Sequence, residues 1–367
     1  MEVDTVSKAY LILENGKVFE GTFFGKVSKT VGEVVFNTGM VGYLETLTDK
    51  NNFGQIVVQT FPMIGNYGVI GEDLQSEKAT VNGYVVREMC DKPSNFRCEG
   101  TLESFLEKEG VTGICGLDTR ALTRVLREEG TMNGMICDCG DVTDEVLAEI
   151  KSFKIENPVK AFSTENKTLT SPLAKTTIAL WDFGTGKGVI DTLLSLDCNV
   201  KVFSASSKAD EILDAKPDGV LVSDGPGNPK DNVEAIKEIK KLFDKKIPMF
   251  GIGLGHELMA LAAGADTFKL PYGHRGASGP CKNLETDVLS IITQNHGYCV
   301  VRETLPEGLE VSYENANDKT IEGIKYTNIP AFSAQFRPDA GTSPTGEKSL
   351  YVKFIELCKE VNFNAVK

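Results

Sequence analysis

Short apolar runs alternate with polar, glycine-bearing breaks along this chain, and the spacing of that alternation changes near its middle. From Ala9 to about Cys139 the pattern is strand-like. Tyr10-Leu11-Ile12-Leu13, the turn residues Asn15-Gly16 and then Lys17-Val18-Phe19-Glu20-Gly21 predict a strand, a hairpin turn and a second strand. Val34-Val35-Phe36 and Gln55-Ile56-Val57-Val58-Gln59 are further short strands between glycine-bearing loops. Asp118 to Arg127 predicts a helix with Asp118 as N-cap, and places Ala121, Leu122, Val125 and Leu126 on one face. A second helix is expected from Glu145 to about Phe153.

The polar, turn-rich stretch 157–175, with Pro158, Ser163, Thr164, Asn166, Ser171 and Pro172, predicts a linker between a domain at 1–156 and another at 176–367. Beyond it, the runs Thr177–Trp181, Val200–Phe203, Gly219–Val222 and Pro248–Ile252 alternate with helical patterns near 188–196, 208–214 and 232–244. Such alternation predicts a doubly wound parallel sheet wrapped by helices, with its chemistry at the carboxyl ends of the strands. The fold class is therefore α/β, with a β-rich α+β domain first.

Composition narrows the function. The chain has 367 residues, 41% hydrophobic and 25% charged, as an ordinary globular protein has. A net charge of −13 argues against a nucleic-acid partner, which needs a basic face. No apolar stretch approaches the roughly 20 residues of a membrane span, and the acidic start Met1-Glu2-Val3-Asp4 is unlike a signal peptide, so a cytoplasmic protein is expected. Nine cysteines without paired spacing read as reduced thiols, and only three histidines argue against a metal site.

The chemistry-bearing clusters follow the predicted strands. Ser223-Asp224-Gly225-Pro226-Gly227 follows the third run. After the fourth comes Gly251-Ile252-Gly253-Leu254-Gly255-His256, a strand that breaks at glycines and re-emerges as a helix. A turn of this kind displays one residue at its tip, where enzymes mount a Ser or Cys nucleophile over backbone N–H groups. Here the tip residue is Gly253. With Gln294-Asn295-His296-Gly297-Tyr298 and Phe336-Arg337-Pro338-Asp339, these clusters resemble the class I glutamine amidotransferases. Phe36-Asn37-Thr38-Gly39-Met40, Ile64-Gly65-Asn66-Tyr67-Gly68, Asp118–Thr123 and Gly273-His274-Arg275-Gly276 resemble in particular the small, glutaminase subunit of carbamoyl-phosphate synthetase. The resemblance runs in unbroken order from about residue 9 to 360.

It implies a cysteine thiolate that attacks glutamine, a histidine as base and a glutamate that orients it. The ammonia released would serve a large subunit that binds ATP and Mg, in pyrimidine or arginine synthesis; no cofactor is expected in this chain. Carried across, the triad positions are Gly253, Arg337 and Asp339, all three changed. Glycine forms no acyl-enzyme, and arginine stays protonated and cannot act as a base. The surrounding pocket positions are matched by Gly39, Gly225, Gly227, Leu254 (through its backbone N–H), Asn295, Gly297 and Tyr298. Glu257 stands where the family has glutamine.

The remaining candidates have plainer readings. Cys281 and Cys299 read as small buried hydrophobes rather than a substitute nucleophile. His256, His274 and His296 match non-catalytic positions. Phe183–Gly188 hints at a phosphate loop but lacks the first glycine and the Ser/Thr of that pattern. Three functions remain open. The chain is expected to be a non-hydrolysing small subunit that organises a large synthetase subunit fed by ammonia. The alternatives are a stand-alone sensor of an amino acid or metabolite, and an enzyme of altered chemistry in the old pocket.

Overall fold

The structure is a computed structural model that describes residues 7–162, 164–338 and 348–365. It divides into two units, Met1–Glu156 and Asn157–Lys367. Among the described residues no helix is long and apolar enough to cross a membrane.

In the first unit the short strands are not separate pieces: seven of them close into a barrel. In order around it run Lys8–Leu13, Val18–Gly25, Thr112–Cys115, Gly83–Val85, Gln55–Gln59, Thr30–Asn37 and Met132–Cys137, which returns to Lys8–Leu13. The predicted hairpin is present, with Ile12 opposite Val18 and Gly16 at φ 82° in its turn. The predicted helix spans Thr119–Glu129, and the Asp118 side chain accepts hydrogen bonds from the N–H groups of Arg120 and Ala121. Its buried face is narrower than expected. Thr119, Leu122 and Leu126 are buried, whereas Ala121 is exposed.

The stretch read as a linker is built into the second unit. It forms a short helix, Pro158–Ala161, whose Val159 joins the apolar core, and a strand, Lys167–Leu169, paired antiparallel to Cys198–Ser204. Its turn residues hid both elements.

That unit centres on a ten-stranded sheet. Its middle is parallel as predicted: Cys198–Ser204, Thr176–Asp182, Gly219–Val222, Met249–Ile252 and Ala331–Ala334 lie side by side in that order. Strand residues alternate between two cores. Ala179, Trp181 and Val222 face one, and Ile178, Leu180, Leu221 and Phe250 face the other. A sheet covered on both faces needs apolar residues on both, which is why these runs read as continuous rather than alternating. The sheet is nonetheless mixed. Beyond Ala331–Ala334 it continues antiparallel through Ile321–Tyr326, Leu309–Asn315, Thr267–Asn283 and Leu289–Val300.

Candidate functional site

The strand Met249–Ile252 ends at Gly253, and the helix Leu254–Ala263 begins at once. Gly253 adopts φ 53° and ψ −114°, a conformation that side-chain-bearing residues rarely hold. Its N–H donates to the Ala334 carbonyl of the neighbouring strand at 2.9 Å, which pins the turn to the sheet. Two residues on, Gly255 lies so close to the Val222 carbonyl that a Cβ has no room. The glycines therefore allow a helix to start against the end of a strand, the geometry of a nucleophile mount.

The place above that mount is filled from within the chain. Asp224, nearly buried in the loop after Gly219–Val222, directs Oδ1 at two backbone donors. The Gly225 N–H donates to it at 2.8 Å and the Leu254 N–H at 3.1 Å. A Cβ built on Gly253 would collide with that same Oδ1 and lie 3.0 Å from Oδ2. The matched oxyanion donor, Leu254, thus already holds a carboxylate oxygen. The sequence Ser223-Asp224-Gly225 carries the signal for this: a carboxylate immediately before a glycine loop can fold back onto that loop's N–H groups.

Glu257 sits one turn into the helix, fully buried, with Oε1 making no hydrogen bond. Burial, together with the neighbouring Asp224, drives its carboxyl well above the usual range, and the Gln335 side chain offsets this only in part. His256 is also buried, and its Nδ1 lies 2.8 Å from Ser333 Oγ. Burial lowers its pKa to about 3, which keeps the ring neutral and suits the packing role expected of it. Arg337 lies three residues beyond Ala331–Ala334, the strand that pins the elbow, and is 9% exposed; its own N–H donates to the Thr293 carbonyl. Asp339 lies outside the described residues.

The other matched positions fall in three places. Asn295, Gly297 and Tyr298 lie on Leu289–Val300, where Asn295 pairs with Arg275 and Tyr298 with Lys269. Arg275 brings its Nη2 to 3.3 Å from where a Cβ of Gly297 would stand. Gly227 holds φ 98° and packs beside Pro158. Gly39 belongs to the first unit, where its carbonyl accepts from Gln59 Nε2 at 2.6 Å.

Two plain readings gain a physical basis. Cys281 and Cys299 are buried, and burial pushes the Cys299 thiol far up, away from the reactive thiolate. The supposed phosphate loop has two of its donors engaged: Asp182 Oδ1 accepts from Gly184 N–H at 3.0 Å and Thr185 N–H at 2.7 Å. The histidines, few as they are, are not scattered in space: two of the three, His274 and His296, converge with Glu322, their ligand atoms within 4.8 Å of one another.

Comparison with known proteins agrees with this architecture. Residues 11–136 match the carbamoyl-phosphate synthase small chain, CPSase domain, and residues 179–357 match the class-I glutamine amidotransferase family. The carbamoyl phosphate synthase small chain of Clostridium perfringens is 46% identical over 349 residues, covering 95% of this chain and 99% of that one. That of Bacillus caldolyticus is 45% identical over 359 residues, covering 97% and 98%. On both domains and along nearly its whole length, the chain belongs to the carbamoyl-phosphate synthase small-chain family.

Proposed function

We propose that this chain is a small subunit that does not hydrolyse glutamine, and that it binds and organises a carbamoyl-phosphate-synthase-like large subunit fed by free ammonia. The observation that carries the reading is the elbow. Gly253 offers no nucleophile, and Asp224 holds the N–H groups of Gly225 and Leu254. A glutamine amide oxygen entering there would have to displace a carboxylate from two charge-assisted hydrogen bonds. The charge that develops on that oxygen would then meet a like charge where it needs donors. Arg337 at the base position stays protonated and accepts no proton. Losing a nucleophile alone removes most of a triad's rate, and here its supporting donors are engaged as well.

The partner reading rests on the first unit, which matches the small-chain family over residues 11–136 while the elbow has changed. The test mixes the purified chain with a large subunit from the same source and supplies bicarbonate, ATP and either nitrogen donor. Carbamoyl phosphate should form from ammonia and not from glutamine. Equal rates with both donors would refute the loss of glutaminase. Absence of any complex at micromolar concentration would refute the scaffold and favour a sensor that uses the pocket around Glu257.

A further inference from the structure

We propose that His274, His296 and Glu322 form a binding site for a divalent transition-metal ion, best suited to zinc, in the antiparallel half of the second unit. The inference is independent of the proposed function. Three strands build the site: Thr267–Asn283, Leu289–Val300 and Ile321–Tyr326. His274 and His296 face each other in register across the first two, with their rings at 89° and 4.9 Å between centroids. Glu322 Oε1 lies 3.6 Å from His274 Nδ1 and 3.9 Å from His296 Nε2.

What favours a metal is the way each ligand is held. His296 Nδ1 lies 2.8 Å from the Tyr298 carbonyl, so that nitrogen carries the hydrogen and Nε2 turns a bare lone pair inward. His274 Nε2 lies 2.8 Å from Asp318 Oδ2, which turns Nδ1 toward the same point. A carbonyl behind one imidazole and a carboxylate behind the other is the outer-shell arrangement that orients histidines on metals. Glu322 is fully buried, its Oε2 makes no close hydrogen bond, and the Asn315 side chain stands beside the carboxylate.

A single group now stands among the three ligands. Gln294 Nε2 is 2.5 Å from Glu322 Oε1, 3.4 Å from His296 Nε2 and 3.5 Å from His274 Nδ1. With His274 neutral, an amide with two hydrogens leaves one of the three converging lone pairs unserved. A cation serves all three at once, and Gln294 turned end for end would offer Oε1 as a fourth oxygen ligand. Two imidazoles and a carboxylate make a zinc donor set, with bonds of about 2.0–2.2 Å and hence ligand spacings of roughly 3.3 Å. Two of the present spacings are near that value, and the histidine pair must close by at most about 1.5 Å. The ion would clamp three strands, one of which carries Asn295 and Tyr298. A proton is the competitor. Burial opposes charge on His274, but Asp318 and Glu322 together outweigh it and raise its pKa to about 9.

The test uses the full chain, stripped with a chelator and titrated with zinc. One equivalent should bind at micromolar zinc and raise the melting temperature. X-ray absorption of the zinc-loaded wild-type chain should show nitrogen and oxygen neighbours near 2.0 Å with imidazole scattering. Asp318→Asn, at a half-exposed turn residue, should weaken binding tenfold or more. Glu322→Gln should abolish it, and if that variant does not fold, the absorption spectrum and Asp318→Asn decide. A sulfur shell near 2.3 Å would assign the zinc to cysteines and overturn the proposal. So would a full affinity in Asp318→Asn, or no bound zinc at all.

Discussion

Gly253→Cys restores the atom a glutaminase would need, and the structure says what it must cost. The new Cβ collides with Asp224 Oδ1, and the backbone stays at φ 53° and ψ −114°. A side chain in such a sparsely populated region costs about 1–3 kcal/mol. Asp224 must also rotate away from the N–H groups of Gly225 and Leu254, and each hydrogen bond to a charged group contributes about 1.5–3 kcal/mol. Part of this returns as the freed carboxylate finds water, which leaves an expected loss of about 4 kcal/mol. For a domain of this size that lowers the melting temperature by about 8–16 °C. Asp224→Ala removes the obstacle beforehand, so adding Gly253→Cys to it should cost only the backbone strain. The double-mutant cycle should therefore show a favourable coupling of about 1–3 kcal/mol. The assay is thermal and urea melting of the four chains. A Gly253→Cys variant that melts within about 2 °C of the parent would refute the reasoning, as would an additive cycle. None of the four should release ammonia from glutamine, since Arg337 stays protonated. Recovery should require Arg337→His, Asp339→Glu and Glu257→Gln besides the two elbow changes.

Three further outcomes are expected. Glu257 has its folded pKa raised by burial, so the folded state keeps a proton that the unfolded state gives up near pH 4.5, and stability falls as pH rises above that value. Glu257→Gln should remove that fall, with melting temperatures at pH 5 and pH 8 closer together than in the parent; an unchanged gap would count against the buried acid. Phe250, fully buried and stacked at 4.6 Å on Phe332 with Tyr351 and Phe354 around it, should cost about 3–5 kcal/mol on Phe250→Ala in urea melts. Alkylation of the native chain followed by mass spectrometry should label exposed Cys139 and spare buried Cys281, Cys299 and Cys358; early labelling of Cys299 would reopen its reading as a nucleophile.

The parallel centre of the second unit was legible because its strands are buried on both faces and read as plain apolar runs. The elbow was legible because Gly251, Gly253 and Gly255 punctuate it. The antiparallel half was not. Thr267–Asn283 contains Pro271, Gly273, Gly276, Gly279 and Pro280, and its pairing with Leu289–Val300 slips register twice, so no two-residue period survives to be read. That half carries three of the matched pocket residues, Asn295, Gly297 and Tyr298, and the His274–His296–Glu322 cluster, whose members are 22 and 26 residues apart. No local spacing could announce such a cluster, since only strand pairing brings it together. Asp224 escaped for a different reason: a residue type reveals that it can accept hydrogen bonds, and only the fold reveals which donors it has taken.

The closed barrel of the first unit has a consequence in time as well as in space. Met132–Cys137 is the strand that pairs with both Lys8–Leu13 and Thr30–Asn37, so it is the keystone between two edges laid down about a hundred residues or more earlier. On a ribosome that makes about 5–20 residues per second, those edges wait several seconds for their common partner. Until it arrives, Lys8–Leu13 and Thr30–Asn37 each show a row of backbone donors and acceptors that any passing strand can use. A fragment ending before Thr131 would keep them open indefinitely, and would be recognised by its tendency to associate rather than by a lower melting point.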